Sequence, residues 1–283
     1  MKPYLSRRTM VKSSVFGLLA TAIPNITYAN NNSILSTNKE HKLASRYPSI
    51  DDAIVNEVVG KSHFDIETVK KLVDKRTELA RASWDWSFGD WESAIGAASH
   101  VGRRDIVNYL ISKGARPTMF TYAMLGAFNI VKGMIELSPN IQQTMGPHGI
   151  SLLDHAKFGL RMRDKMSADQ IFESEKLIDY LEKLGNAGGA KYMEMKEPKD
   201  NYLGDYKYGD GEKDGFTVKE NMRKMLSLGK LGKSGGGLHK IGNNEFMYNG
   251  VPSVKITFQL ENDTVTSLTI IEPDLVLVAK KVS

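Results

Sequence analysis

The sequence predicts an α+β multidomain protein, in which a repetitive α-helical region is followed by a small antiparallel β half-barrel or barrel. Apolar side chains recur at helical spacing between residues 48 and 188, and after residue 201 they alternate with polar ones. The length of 283 residues fits about two domains. The chain contains no Cys, which excludes disulfides, iron–sulfur clusters, thiolate zinc sites and Cys nucleophiles.

Residues 1–29 are typical of an export signal. Basic residues precede a short apolar stretch, Ser13 to Ile23, which is shorter than the about 20 residues that a membrane-spanning helix needs. The segment ends in Thr27-Tyr28-Ala29, which puts a small residue at the expected cleavage position. An uncleaved anchor or an ordinary secretory signal remain alternatives at this point.

The adjacent pair Arg7-Arg8, preceded by Ser6 and followed by Lys12, resembles the bacterial twin-arginine export signal, with Met10 where Phe is usual. The resemblance implies that an already folded chain is exported and ends in the periplasm or outside the cell. We expect no stable membrane insertion after signal removal, because no later segment is apolar enough to cross a bilayer.

The formal net charge of +5 comes mostly from this signal, which holds Lys2, Arg7, Arg8 and Lys12 and no acidic residue. The remainder of the chain is close to neutral and has no cluster of excess Lys and Arg. Nucleic-acid binding, which depends on such a cluster, is therefore not expected.

Residues 30–47 are polar and predict a linker, after which one helical pattern repeats. In the segment from Gly102 to Gly114, the apolar positions Ile106, Val107, Leu110 and Ile111 share one face of a helix. Similar patterns occur around Leu72, Ile130 and Leu177. We expect about four stacked helix pairs between residues 48 and 188, because a single pair cannot bury its apolar face alone.

This region resembles the ankyrin repeat. The residues that carry the resemblance are Ala97-Ala98, Gly102, Ile106-Val107, Leu110-Ile111 and Gly114-Ala115, with a second match at Gly149, Ser151, Leu153 and Ala156. The family's Thr-Pro-Leu-His is missing at Glu92–Ile95, and an insertion is expected near Leu160–Ser174. The resemblance implies an ankyrin-like solenoid that binds proteins through its surface, while a generic helical repeat remains the alternative.

Residues 189–200 predict a second linker, and residues 201–283 predict a small β-domain. Val254–Leu260 alternates apolar with polar residues, and Val265–Ile271 and Leu275–Val282 follow as strands. Four shorter strand candidates precede them: Tyr202–Tyr208, Phe216–Glu220, Lys224–Leu228 and Glu245–Tyr248. Through Tyr202–Tyr206, Ile256–Phe258 and similar short motifs, this tail resembles the small β-domain appended to β-lactamase-like serine hydrolases. The resemblance implies an accessory or ligand-contacting module without a reaction of its own.

Motifs for catalysis, cofactors and metals are incomplete in this chain. The segment Lys230–Gly237 looks like a phosphate loop but has Ser227 where the first Gly is required, so we expect a flexible β-turn there. Ser-x-x-Lys occurs at Ser36 and again at Ser227, without the partner motif Lys-Thr-Gly. No two histidines are spaced i, i+4 as in helical metal sites. The six are His41, His63, His100, His148, His155 and His239. We therefore expect no catalysis, no cofactor and no metal.

The most distinctive segment is the aromatic loop, residues 84–91, which contains all 3 Trp of the chain. Trp and neighbouring Arg residues are enriched where proteins bind each other. The candidate protein-binding residues are Trp84, Trp86, Phe88, Trp91, Arg103 and Arg104. As an alternative, the aromatic rings cover the end of a helix, and the two arginines are solvated charges in loops.

The sequence thus predicts an exported, non-catalytic protein-binding module, in which ankyrin-like repeats dock a protein partner of unknown identity through the aromatic loop. The alternative function is binding of a small ligand or cell-wall fragment by the C-terminal β-domain, with the repeats as a scaffold. A cavity inside the β-domain would favour this alternative, and an interior filled by side chains would argue against it.

Overall fold

A computed structural model of the chain describes residues 45–282. The predicted export signal and nearly all of the predicted linker 30–47 lie outside the described residues. Eight α-helices precede the β-domain in the part described. They are α1 (Asp52–Lys61), α2 (Ile66–Lys75), α3 (Ala94–His100), α4 (Arg104–Ser112), α5 (Met119–Met124), α6 (Phe128–Leu137), α7 (Leu152–Phe158) and α8 (Ala168–Leu184).

Side-chain caps fix where several of these helices begin. The Asp65 carboxylate accepts from the backbone N–H of Thr68 at the start of α2, and the Ser93 hydroxyl caps α3 in the same way. Ser167 and Gln170 form a reciprocal capping box at the start of α8, which ends at the left-handed Gly185. The boundaries of these helices therefore follow from residues close to them in sequence.

The helices follow one another as four pairs, α1–α2, α3–α4, α5–α6 and α7–α8. Helix α3 contacts α1 and α5, and α5 contacts α7, so neighbouring pairs touch along the stack. The helical patterns expected around Leu72, Ile106, Ile130 and Leu177 are confirmed, since they lie in α2, α4, α6 and α8. Every residue of α3 is buried, because its small side chains let both neighbours approach closely.

A short two-stranded antiparallel sheet precedes α3. Strand β1 (Ser83–Asp85) pairs with β2 (Trp91–Ser93), with Trp84 opposite Glu92 and Asp85 opposite Trp91. This hairpin contains the aromatic loop. It places Asp90 and Glu92 near the amino-terminal end of α3.

The C-terminal β-domain is a closed antiparallel barrel of eight strands, in the order β10-β3-β4-β5-β6-β7-β8-β9. The α+β class and the barrel expected from the sequence are confirmed. The strands are β3 (Gly204–Lys207), β4 (Gly215–Glu220), β5 (Leu226–Lys230), β6 (Gly236–Gly242), β7 (Glu245–Tyr248), β8 (Val251–Glu261), β9 (Thr264–Glu272) and β10 (Leu275–Lys281).

Side chains fill the inside of the barrel. Val254, Ile256 and Phe258 of β8 alternate inward as the sequence indicated, and they pack with the rings of Tyr202 and Phe246. The ring of Phe258 meets those of Tyr202 and Phe246 edge to face, at centroid distances of 5.0 and 5.6 Å. This packed interior does not favour a ligand inside the barrel.

Strand β6 is the element that the sequence analysis missed. The Gly-rich segment 232–237 was expected to be a flexible turn, yet the strand begins at Gly236 and pairs with both β5 and β7. A Cβ at Gly236 would lie 2.5 Å from the Tyr248 ring, and this close approach explains the glycine.

Candidate metal centre

Three histidines and one glutamate from four separate elements converge at one point. His63 lies in the turn after α1, Glu92 in β2, His100 at the end of α3, and His148 in the short 3₁₀ turn Pro147–Gly149. Each offers one ligand atom, and these atoms all lie within 4.8 Å of one another. Ring contacts among the three imidazoles, 4.9 to 6.4 Å between centroids, show the same convergence.

The Glu92 carboxylate lies at the centre of this cluster. Its Oε1 is 2.8 Å from Nδ1 of His100 and 3.4 Å from Nε2 of His148, and its Oε2 is 3.4 Å from Nε2 of His63. The Glu92 side chain is fully buried, and the three histidine side chains keep 23% exposure or less. The cluster is thus largely enclosed by protein.

Two atoms at the centre lack a hydrogen bond although they are close. Nδ1 of His100 and Oε1 of Glu92 are 2.8 Å apart, but both are buried without a partner in hydrogen-bonding geometry. A buried polar atom without a partner costs free energy, so such atoms are rare in folded proteins. Two adjacent lone pairs of this kind are what a cation needs from its ligands.

The outer nitrogens of two histidines are held by other groups. Nδ1 of His63 lies 2.9 Å from the carbonyl of Gly60, which can only accept, so this nitrogen carries a proton. Nδ1 of His148 lies 2.6 Å from Oδ2 of Asp90 and likewise donates. Both Nε2 atoms are left facing Glu92. Metal-binding histidines have the same arrangement, in which a carbonyl or carboxylate fixes the ring through its far nitrogen.

The backbone at His148 is unusual for its residue type. Its φ of 60° is in the left-handed region, which non-glycine residues seldom occupy. The backbone N–H of His148 donates to Oδ1 of Asp90 at 3.0 Å, so this single carboxylate holds both the backbone and the ring. Such strained positions persist only where the surroundings fix them, as they do at functional sites.

The barrel contributes to the outer layer of the cluster through Asn249, which follows β7. Its amide nitrogen donates to Oδ2 of Asp90, and its carbonyl oxygen accepts from the backbone N–H of Gly237 at 3.1 Å. Trp86 completes the layer, because its indole N–H donates to Oε2 of Glu92 at 2.8 Å. The cluster therefore lies where the helical region meets the barrel.

The pKa shifts show how strongly these groups interact. Burial alone raises the pKa of Glu92, but the imidazoles of His100 and His148 beside it outweigh burial and lower the pKa. Burial lowers the pKa of His100. For His148, burial acts in the same direction, but Asp90 and Glu92 overcome it and raise the pKa to about 9. The carboxylates therefore favour a positive charge at this point, whether a proton or a metal supplies it.

The donor set fits zinc. Tetrahedral zinc with bonds of about 2.0–2.1 Å separates its ligand atoms by about 3.3–3.4 Å. The ligand atoms here lie within 4.8 Å of one another, with His100 Nδ1 and Glu92 Oε1 at 2.8 Å, so their separations bracket that value. Three imidazole nitrogens and one carboxylate are common ligands of this ion. The arrangement is able to fill all four positions from the protein.

The predicted protein-binding rings lie mostly inside the molecule. Trp84 and Trp86 are half-buried against the core of the helical region, and Phe88 packs on the barrel, with its ring 4.8 Å from that of Tyr248. Trp91 is 63% exposed. Three of the four rings are thus partly covered by apolar neighbours, and partner binding by the loop stays a prediction.

The two arginines of the predicted binding surface differ in how far their side chains are exposed to solvent. Arg104 is buried, and its guanidinium donates to the carbonyls of Met124, Leu125 and Gly159 and to the Ser174 hydroxyl. Its place in a binding surface is corrected, because its donors are used inside the chain. Arg103 pairs with Asp105 at 2.7 Å and stays partly exposed.

Sequence analysis did not group the cluster residues, because no two of them have the spacing of a known metal motif. One signal was present: Asp90 and Glu92 are two carboxylates on either side of Trp91, directly before the helix that ends in His100. His63 and His148 come from distant segments, and only the fold brings them to this point.

No protein-family model and no curated protein matches this chain. Among the described residues, no helix is both long and apolar enough to span a membrane. The geometry of the cluster is therefore the basis for a functional proposal.

Proposed function

We propose that this protein binds one zinc ion through His63, Glu92, His100 and His148. The observation that carries the proposal is the buried pair of His100 Nδ1 and Glu92 Oε1, 2.8 Å apart without a hydrogen bond. A zinc ion between the four groups would use both lone pairs and offset the buried carboxylate charge.

The role that fits this site is structural. Structural zinc sites take four ligands from the protein, whereas catalytic sites keep one position for water or substrate. Here four ligands are available and largely buried, and they join α1, β2, α3 and the turn at His148. We propose no reaction at this site. The zinc proposal departs from the expectation from the sequence that the chain binds no metal.

We further propose that the protein is exported through the twin-arginine signal and that its four helix pairs are ankyrin-like units. The order of four consecutive pairs with contacts between neighbours supports the second point. Docking of a protein partner is the second candidate function. Within the aromatic loop it rests on Trp91, whose indole is 63% exposed.

The experiment is metal analysis of the purified full-length chain after dialysis against zinc, with elemental quantification and calorimetric titration. We expect one zinc per chain. His100→Ala removes a ligand and should abolish stoichiometric binding. Asp90→Asn leaves the four ligands in place but weakens the hold on His148, and should lower the affinity about 10–100-fold.

His239→Gln is the matched control, because His239 is also buried but lies in β6 of the barrel, outside the cluster. It should keep one zinc per chain. Absence of zinc from the unmodified chain, or undiminished binding in His100→Ala, would contradict the proposal.

A further inference from the structure

A cavity of about 500 Å³ lies beside the metal centre, between the helical region and the barrel. Its walls come from the hairpin residues Trp91 and Glu92, from α5, from α7, and from the barrel segment 249–252. The volume is within the range of small-molecule sites, which often form where two structural regions meet. The zinc proposal does not use this space.

One wall of the cavity carries a polar atom without a partner. His155 is fully buried, and its Nδ1 lies 2.8 Å from the carbonyl of Ser151, so that nitrogen carries the proton. Its Nε2 is left as an acceptor and has no hydrogen-bond partner. Burial also lowers the pKa of His155 to about 4, so the ring is neutral near pH 7. A ligand with an N–H or O–H group would satisfy this nitrogen.

The other lining groups further restrict the kind of ligand that fits the cavity. Phe120, Met145 and Trp91 give apolar and aromatic surface, and the exposed indole of Trp91 is reachable from solvent. Asp90 and Glu92 also border the cavity, but their carboxylates are engaged by His148, Asn249 and Trp86. None of the described lining residues is Lys or Arg, so an anionic group would find no cationic side chain here.

We propose that this cavity is a binding site for a small, flat, largely apolar molecule that carries a hydrogen-bond donor and no anionic group. The donor bonds to Nε2 of His155, and the flat body packs against Trp91 and Phe120. His155 is outside the four-ligand set, and the cavity shares Glu92 with that set.

Three probes that share one ring system test this proposal: 2-naphthalenemethanol, its methyl ether, and 2-naphthoate. Binding to the full-length chain is followed by ligand-observed NMR titration. We expect the alcohol to bind about tenfold more tightly than the ether, because only the alcohol donates to the unpaired nitrogen. The naphthoate should not bind measurably. In His155→Phe, the alcohol and the ether should bind equally.

Trp91→Ala is the second variant, because an exposed residue is replaced without disturbing the core. It should weaken the alcohol and the ether alike, by about fivefold or more. Phe172→Ala is the matched control, since Phe172 has the same 63% exposure but lies on α8 and should change neither affinity. Equal affinity for alcohol and ether in the unmodified chain, tight binding of naphthoate, or no binding of any probe would overturn the proposal. Zinc content measured in the same samples keeps this result separate from the metal proposal.

Discussion

At the scale of single residues, Glu92 determines the character of the metal centre. A carboxylate that is fully buried is costly unless hydrogen bonds and positive charge compensate it. The indole of Trp86 supplies one hydrogen bond, and the three histidines surround the remaining lone pairs. The side chain is therefore stable only if protons or a metal ion provide positive charge at this position.

Arg104 is a second residue whose role follows from what it touches. Its guanidinium reaches the carbonyls at the carboxyl-terminal ends of two helices, at Met124 and Leu125 after α5 and at Gly159 after α7. These carbonyls have no partner within their own helices, and a cation is favoured at the negative end of a helix dipole. Arg104 thus links three helix pairs through buried hydrogen bonds.

We predict that Arg104→Met lowers the free energy of unfolding by about 3–5 kcal/mol, because buried carbonyls lose their donor. Urea denaturation followed by circular dichroism measures the effect. Arg103→Met is the control. Its side chain is partly exposed, pairs with Asp105 and donates to the carbonyl of Phe64, both at the surface, so the loss should stay at about 1 kcal/mol. Equal losses of unfolding free energy in the two variants would show that the buried hydrogen bonds of Arg104 do not stabilise the fold.

At the scale of elements, the metal centre depends on how one turn of the helical region meets one turn of the barrel. Gly149 and Gly250 both have positive φ, of 64° and 81°. A Cβ on Gly250 would lie 2.4 Å from the Cα of Gly149, so the two backbones touch directly. His148 and Asn249 are their immediate neighbours, and this contact sets the distance between them.

We predict that Gly250→Ala weakens zinc binding about tenfold or more. The added methyl group pushes the turn that contains His148 away from the barrel. It thereby weakens the contacts with which Asp90 and Asn249 position the His148 ring. Calorimetric zinc titration measures the change. A Kd equal to that of the unmodified chain would mean that this contact does not position His148.

Gly232→Ala is the matched control for backbone strain. Gly232 also has positive φ, of 74°, but a Cβ there meets nothing within 4 Å. Both variants should lose about 1 kcal/mol of stability from the strained backbone, whereas the zinc affinity should fall in Gly250→Ala alone.

At the scale of the whole molecule, the described residues belong to one compact unit. The helical region and the barrel each have their own apolar core, and the contacts of Asp90 with His148 and Asn249 join them. An ion bound at this junction is therefore expected to stabilise both parts, because a ligand stabilises whatever must unfold to release it.

We predict that zinc at about 100 times its Kd adds roughly 2.7 kcal/mol to the free energy of unfolding and raises Tm by roughly 5–10 °C. The rise should be equal in two signals. Fluorescence of the three Trp residues, all within residues 84–91, reports on the helical region, and near-ultraviolet circular dichroism also reports on the buried barrel rings Tyr202, Tyr206 and Tyr248.

The same measurement on His100→Ala serves as the reference, and there zinc should leave Tm unchanged. A zinc-induced rise in the Trp signal with a separate, unshifted transition in the Tyr signal would contradict coupling of the helical region to the barrel. It would leave the zinc site itself in place.

The secondary structure could be predicted because its signals are local. In α4, the helical spacing of Ile106, Val107 and Leu110 indicates which face of the helix is buried. In β8, the alternation of Val254, Ile256 and Phe258 indicates which face of the strand is buried. Strand β6 escaped prediction because its glycines are required by a distant ring, that of Tyr248, and local patterns do not record such contacts.

Spacing and composition along the chain predicted one helix in each of the four pairs, seven of the eight barrel strands and the lack of any thiol chemistry. The packing of distant segments brings His63, Glu92, His100 and His148 together, buries Arg104, partly covers three of the loop rings and places His155 beside a cavity. The physical reason is that a ligand set and a buried hydrogen bond depend on distances in space between segments far apart in sequence, and these distances are fixed only when the helix pairs and the barrel pack together.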